Sequence, residues 1–119
     1  MALGRKNIEV NDHTDQFLEY LDKAIVNGLT AIGMTAEGHA KRNLYPGHGL
    51  DTGRLRNSIT YKAVRTERAV YIGTNVEYAP YVELGTRKMR ARPFLKPAAT
   101  EHNDEYKKIM EAALKSAEE

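Results

Sequence analysis

Phe17, Leu18, Leu21, Ile25, Leu29, Ile32, Ala36, Ala40 and Leu44 recur at steps of three and four, which places them on one stripe of an α-helix. Such a helix takes up about a quarter of the 119-residue chain and is longer than one small sheet can cover. Asn11, Asp12 or Thr14 suit its start as caps, Asp15 and Glu19 suit the positive end of its dipole, and Lys41 and Arg42 suit the other end. Gly28, Gly33 and Gly38 interrupt it, each at a cost of up to about 1 kcal/mol relative to Ala in an exposed helix interior. Either the helix bends at these positions or another backbone packs closely against it. Residues 1–10 show no periodicity and are expected to form a flexible arm or an edge segment.

The remainder reads as shorter elements. Asn43 to Ser58 is rich in Gly and Pro and forms a connection, in which Asp51 or Thr52 caps a short turn that holds Leu55 inward and Arg54 and Arg56 outward. Ile59–Thr66 and Ala69–Thr74 suggest a β-hairpin. A two-residue turn at Glu67 and Arg68 pairs Ala63 with Ile72 and Tyr61 with Thr74, and sets Ile59, Tyr61, Ala63, Val70 and Ile72 on one face. Glu-Arg is a poor turn dipeptide, so a longer loop or a bulge stays open. Pro80 suits the first turn of a short helix and Gly85 its exit. Residues 86–96 form a basic loop, and a final helix is expected from about Pro97 to Ala117. The expectation is a single α+β domain over residues 1–119, with a long N-terminal helix and a C-terminal helix packed on a small antiparallel β-sheet.

A chain of 13.4 kDa buries about two thirds of its surface on folding, enough for one core. The lack of Cys removes disulfides, thiol catalysis and Cys-based zinc sites. Apolar runs are only a few residues long, and Met1 to Val10 lacks the apolar stretch of a signal peptide, so neither a membrane span nor secretion is expected. His13, His39, His48 and His102 contain no pair at one-turn spacing, and His39 reads as a helix-face residue rather than a ligand. His48, Asp51 and Ser58 lack a nucleophile elbow, and Glu77 and Glu83 read as solvated surface carboxylates. No catalytic residue, metal or cofactor is expected.

The formal charge of +2 hides an uneven distribution. Residues 1–40 carry three bases against six acids, residues 41–97 twelve against four, and residues 98–119 three against six. Within Thr86 to Lys96 there are five bases and no acid. Arg87, Lys88, Arg90 and Arg92, with Arg54 and Arg56, are therefore the candidate contacts to a neighbouring subunit or to DNA. Tyr78, Tyr81 and Phe94 flank the loop, either as stacking partners or as anchors to the core.

Three motifs in order, DTGRLRNSI at Asp51 to Ile59, YAPYVELGT at Tyr78 to Thr86 and ARPFLKPA at Ala91 to Ala98, carry a resemblance that no one of them would carry alone. The stretch from about Leu44 to Ala99 resembles the head-to-tail joining or tail-completion family of long-tailed double-stranded DNA phages and prophages, also described as minor capsid or gene-product-ten-like proteins. The resemblance implies a neck component of the virion, made in the bacterial host cytoplasm, without enzymatic activity or a cofactor. Its partners would be copies of itself in a ring, with sixfold symmetry as the family expectation, neighbouring neck and tail proteins, and DNA in the channel. It further implies that Asp51, Thr52 and Gly53 form a capped turn launching the first strand. Tyr78, Pro80, Tyr81 and Gly85 would set the short helix, and Arg92, Pro93 and Phe94 would dock the final helix. Leu84 and Arg90 depart from the Phe and Pro common in the family. The alternative function is a small nucleic-acid-binding module that uses the basic loop.

Overall fold

The computed structural model describes residues 2–44 and 52–116, with side chains described for residues 15–44 and 53–116. Its elements are α1 (Ala2–Arg42), α2 (Thr52–Ser58), β1 (Thr60–Val64), β2 (Ala69–Gly73), α3 (Ala79–Leu84), α4 (Leu95–Thr100) and α5 (Asn103–Ser116). The α+β arrangement is the expected one: a long helix carries an antiparallel two-stranded sheet and a C-terminal helix.

α1 is 41 residues long, about 60 Å at the usual rise. It begins at Ala2, so the segment expected to be an arm continues the helix, and the expected start signals at Asn11, Asp12 and Thr14 fall inside it. His39, Lys41 and Arg42 occupy its last turn, where positive charge opposes the helix dipole. Beyond Leu44 the chain returns at α2, where Leu55 is buried and Arg54 and Arg56 are exposed, as expected. The element is a seven-residue helix rather than a single turn, with Thr52 and Gly53 inside it; Asp51 and His48 lie outside the described residues.

The hairpin pairs Tyr61 with Ile72, Ala63 with Val70 and Val64 with Ala69. This corrects the expected register by two residues. The connection is four residues, Arg65 to Arg68, closed by the Arg68 N–H donating to the Arg65 carbonyl at 3.1 Å, with Arg68 at φ 52°. Neither Glu67 nor Arg68 readily takes the pair of positive φ values that a two-residue turn demands. A shift of two keeps Tyr61, Ala63, Val70 and Ile72 on one face, so the face assignment is unchanged.

That face lies across α1 at Gly33. A Cβ there would fall 2.4 Å from Tyr61 Cδ2 and 2.9 Å from Val70 Cγ2, while one at Gly28 would meet Met110 Sδ at 2.7 Å. Gly28 and Gly33 therefore admit a close neighbour, and that neighbour is a side chain rather than a second backbone. Gly38 faces nothing nearer than the Arg42 guanidinium at 3.6 Å. Gly38→Ala should then raise stability by roughly 0.5–1 kcal/mol through helix propensity. Gly33→Ala should lower it, because the Tyr61 ring has to move, and overpacking typically costs about 1–3 kcal/mol. Thermal unfolding of the two variants checks the opposite signs.

The main core gathers at the C-terminal end of α1. Ala40, Leu44, Leu55, Ile59, Val76, Ala79, Val82, Phe94 and Ala98 form one buried cluster, with Ile72, Tyr78, Met89 and Leu95 packed against it. The expected final helix is instead two. α4 closes with the Glu101 N–H donating to the Pro97 carbonyl, and α5 opens with the Tyr106 N–H donating to the His102 carbonyl. Asp104 and Glu105 then sit in a new first turn, where acidic side chains favour the dipole. The Tyr106 hydroxyl donates to the Ala98 carbonyl at 2.5 Å and bridges the break. α5 runs antiparallel to α1, with His102 against His39 and Met110 against Gly28.

Candidate functional site

The basic loop is an ordered turn. The Thr86 N–H donates to the Met89 carbonyl at 2.8 Å, and the Thr86 hydroxyl oxygen accepts from the Lys88 and Met89 N–H groups at 3.2 and 3.1 Å. Downstream, the Arg92 N–H donates to the Val82 carbonyl at 2.7 Å, and half-buried Met89 packs on the core. These ties display Arg87, Lys88, Arg90 and Arg92 outward. None of the four forms an ion pair among the described residues. Arg90 and Arg92 share a cleft of about 620 Å³ with Arg42 and Glu101, so the end of α1 adds a cation that the sequence did not associate with the loop.

Glu83 holds this turn against α4, and it is not a solvated carboxylate. Its Oε1 accepts from the Phe94 and Leu95 N–H groups at 3.1 and 2.9 Å, and its Oε2 accepts from the Lys96 N–H at 3.3 Å. Those are N–H groups that the start of α4 leaves without helical partners. Spacing alone does not show this, because the donors lie 11 to 13 residues away across the loop. Phe94 is fully buried where it precedes α4. Pro80 stands in the first turn of α3 and Gly85 at its exit with φ 79°. Tyr78 precedes the helix and is half-buried, Pro93 is exposed, and Tyr81 is exposed rather than serving as an anchor.

Arg54 and Arg56 differ from one another. The Arg54 guanidinium donates to both carboxylate oxygens of Glu77, at 3.3 and 3.4 Å, and lies 5.6 Å from the Tyr78 ring centroid. Backbone hydrogen bonding at Glu77, and then Arg54, hold the Glu77 carboxyl below its ordinary pKa. Arg54 thus ties α2 to the segment before α3, whereas Arg56 is exposed. Ser58 donates to the Leu55 carbonyl at 2.6 Å and lies 2.5 Å from Thr74 Oγ1, while His48 and Asp51 lie outside the described residues. Both contacts fasten the α2–β1 corner to the end of β2.

A second surface was not anticipated from the sequence. Residues 15–20 of α1 are all exposed, and Phe17, Leu18 and Tyr20 show 53%, 51% and 53% of their surface to solvent. The apolar stripe only becomes covered from Leu21 onward, where the hairpin and α5 lie on the helix. Among acids beside this stretch, Asp22 pairs with Arg65 of the hairpin turn. Tyr81 and Leu84 form a smaller exposed apolar pair on α3, with Leu84 77% exposed.

No helix among the described residues is long and apolar enough to cross a membrane. No curated protein and no solved structure matches the chain. A model of the HK97-gp10-like family, described as "Bacteriophage HK97-gp10, putative tail-component", matches residues 6–85. The match takes in all but the first four residues of α1, the α2 motif, the hairpin and α3, and the ARPFLKPA stretch lies beyond it. It covers about two thirds of the chain, and the protein belongs to this family of phage tail components.

Proposed function

We propose that this tail component acts at the neck of the virion, joining head to tail or completing the tail as a ring of identical subunits, without catalysis. The observation that carries this reading is the uncovered stretch of α1 around Phe17, Leu18 and Tyr20. It continues the stripe that is buried further along the helix, and a second copy would cover it. The chain exposes 8773 Å², about a third more than the roughly 6,500 Å² of a compact monomer of this mass. Asp15 and Glu19 beside the apolar residues complement the exposed Arg87, Lys88, Arg90 and Arg92, which supports a head-to-tail contact between copies. Repetition of such a contact closes a ring when the rotation permits. Sixfold closure, a place at the head–tail junction, contact with neighbouring neck and tail proteins and synthesis in the host cytoplasm follow from the resemblance.

Phe17→Asp combined with Leu18→Asp should weaken self-association by roughly tenfold or more, the effect of losing an interface hot spot. Thermal unfolding of the isolated chain should change little, because both side chains are exposed. Sedimentation velocity of wild type and variant reads the difference; unchanged association would overturn the assignment of this surface. The four loop cations, which form no ion pair among the described residues, also support a second reading, contact with nucleic acid. Replacing all four by Ala should then flatten the salt dependence of DNA binding, and failure of the wild type to bind DNA at low salt would remove this reading.

A further inference from the structure

His39 and His102 lie 63 residues apart in sequence and meet where α1 ends and α5 begins. Their rings are stacked with centroids 3.5 Å apart and planes within 4°. Glu105, in the first turn of α5, joins them, and one ligand atom from each of the three residues lies within 4.8 Å of the others. The hydrogen bonds define the state of His39. Arg42 Nη2 is 2.8 Å from His39 Nδ1, and a guanidinium only donates, so Nδ1 accepts and the ring is neutral. Its Nε2–H therefore donates to Glu105 Oε1, at 2.9 Å. This bond holds the Glu105 carboxyl below its ordinary pKa.

We propose that His39, His102 and Glu105 form a site for a divalent first-row transition-metal ion, with water in the remaining positions. Two imidazoles and one carboxylate suit iron-, cobalt-, nickel- or zinc-type ions rather than calcium or magnesium. The 2.9 Å between His39 Nε2 and Glu105 Oε1 is close to the separation of two adjacent ligands at right angles with bonds of about 2.1 Å. His102 and Glu105 line an open cleft of about 490 Å³, which gives the ion an entry path and the His102 ring room to turn. Turning is required, since two parallel rings cannot both aim a lone pair at one ion. When the ion takes Nε2 of His39, the proton there passes to Nδ1 and none is released. Arg42 can then no longer donate to Nδ1, and its exposed side chain moves into solvent. The ion and Arg42 thus compete for opposite tautomers of one ring, a coupling that adventitious binding to a surface histidine would lack.

Isothermal titration of the full chain with nickel chloride and with cobalt chloride tests the site. One ion should bind per chain. His102→Ala and Glu105→Gln should each weaken binding about tenfold or more, while Arg42→Ala should tighten it. The cobalt complex should show visible absorption that His39→Ala abolishes, with circular dichroism confirming that each variant is folded. No binding, binding insensitive to His102→Ala, or weaker binding by Arg42→Ala would overturn the proposal. The site does not depend on the neck assignment, since its test uses the isolated chain.

Discussion

Phe94→Ala is expected to lower the unfolding free energy by about 3–5 kcal/mol, the range for removing a buried aromatic ring without refilling the space. Phe94 is among the largest side chains with no exposed surface, and it belongs to the buried cluster with Leu44, Leu55 and Ile59. Its backbone is equally committed: the N–H donates to Glu83, and the carbonyl accepts from Asn43 Nδ2 at 3.1 Å. The surrounding elements are short helices held by these same bonds, so the cavity has little freedom to collapse. A domain of this size has only about 5–15 kcal/mol of stability in total, and the variant should be near its unfolding transition under mild conditions. Urea denaturation measures the loss. Leu84→Ala, at a side chain 77% exposed, should change stability by no more than about 0.5 kcal/mol. Equal effects at the two positions would mean that the core is misplaced.

Gly85→Ala is expected to combine two costs. Gly85 adopts φ 79° and ψ 174°, a backbone region essentially confined to glycine, where a side chain adds about 1–3 kcal/mol of strain. A Cβ would also fall 2.7 Å from the Ala91 N and 3.0 Å from the Met89 carbonyl oxygen. Both neighbours are backbone, so relief requires moving the turn. The bonds between Thr86 and Met89 and between Arg92 and Val82 are then the ones to weaken. Amide exchange at Met89 and Arg92 should speed up in the variant along with a fall in thermal stability. Unchanged exchange there would contradict the view that Gly85 sets the loop.

The parts of this fold legible in the sequence are those that repeat at a fixed period or carry a local signal. The stripe from Leu21 to Leu44, the half-buried face of the hairpin, Leu55 of α2, and Pro80 in the first turn and Gly85 at the exit of α3 belong here. The hairpin register required knowing that, of the turn residues 65–68, Arg68 alone takes positive φ. The division between α4 and α5 was hidden because His102 and Tyr106 keep the helical stripe across the break. Glu83 and the His39–His102 pair were unreadable for a related reason: each meets its partner through the tertiary fold, with no spacing to announce it. The basic loop was legible as charge, whereas its ordered geometry depends on the Thr86 and Gly85 contacts, and Arg42 joins it only because α1 ends beside it. Asp51 of the first motif, and His48, lie outside the described part of the chain.

The uncovered α1 stretch makes self-assembly the central claim, and native mass spectrometry of the full chain at low and moderate salt tests it most directly. The expected spectrum contains a closed ring of identical subunits whose population falls as salt screens the Asp15, Glu19 and loop-cation contacts. A strictly monomeric protein at every concentration, also unable to associate with neck or tail proteins, would contradict the account.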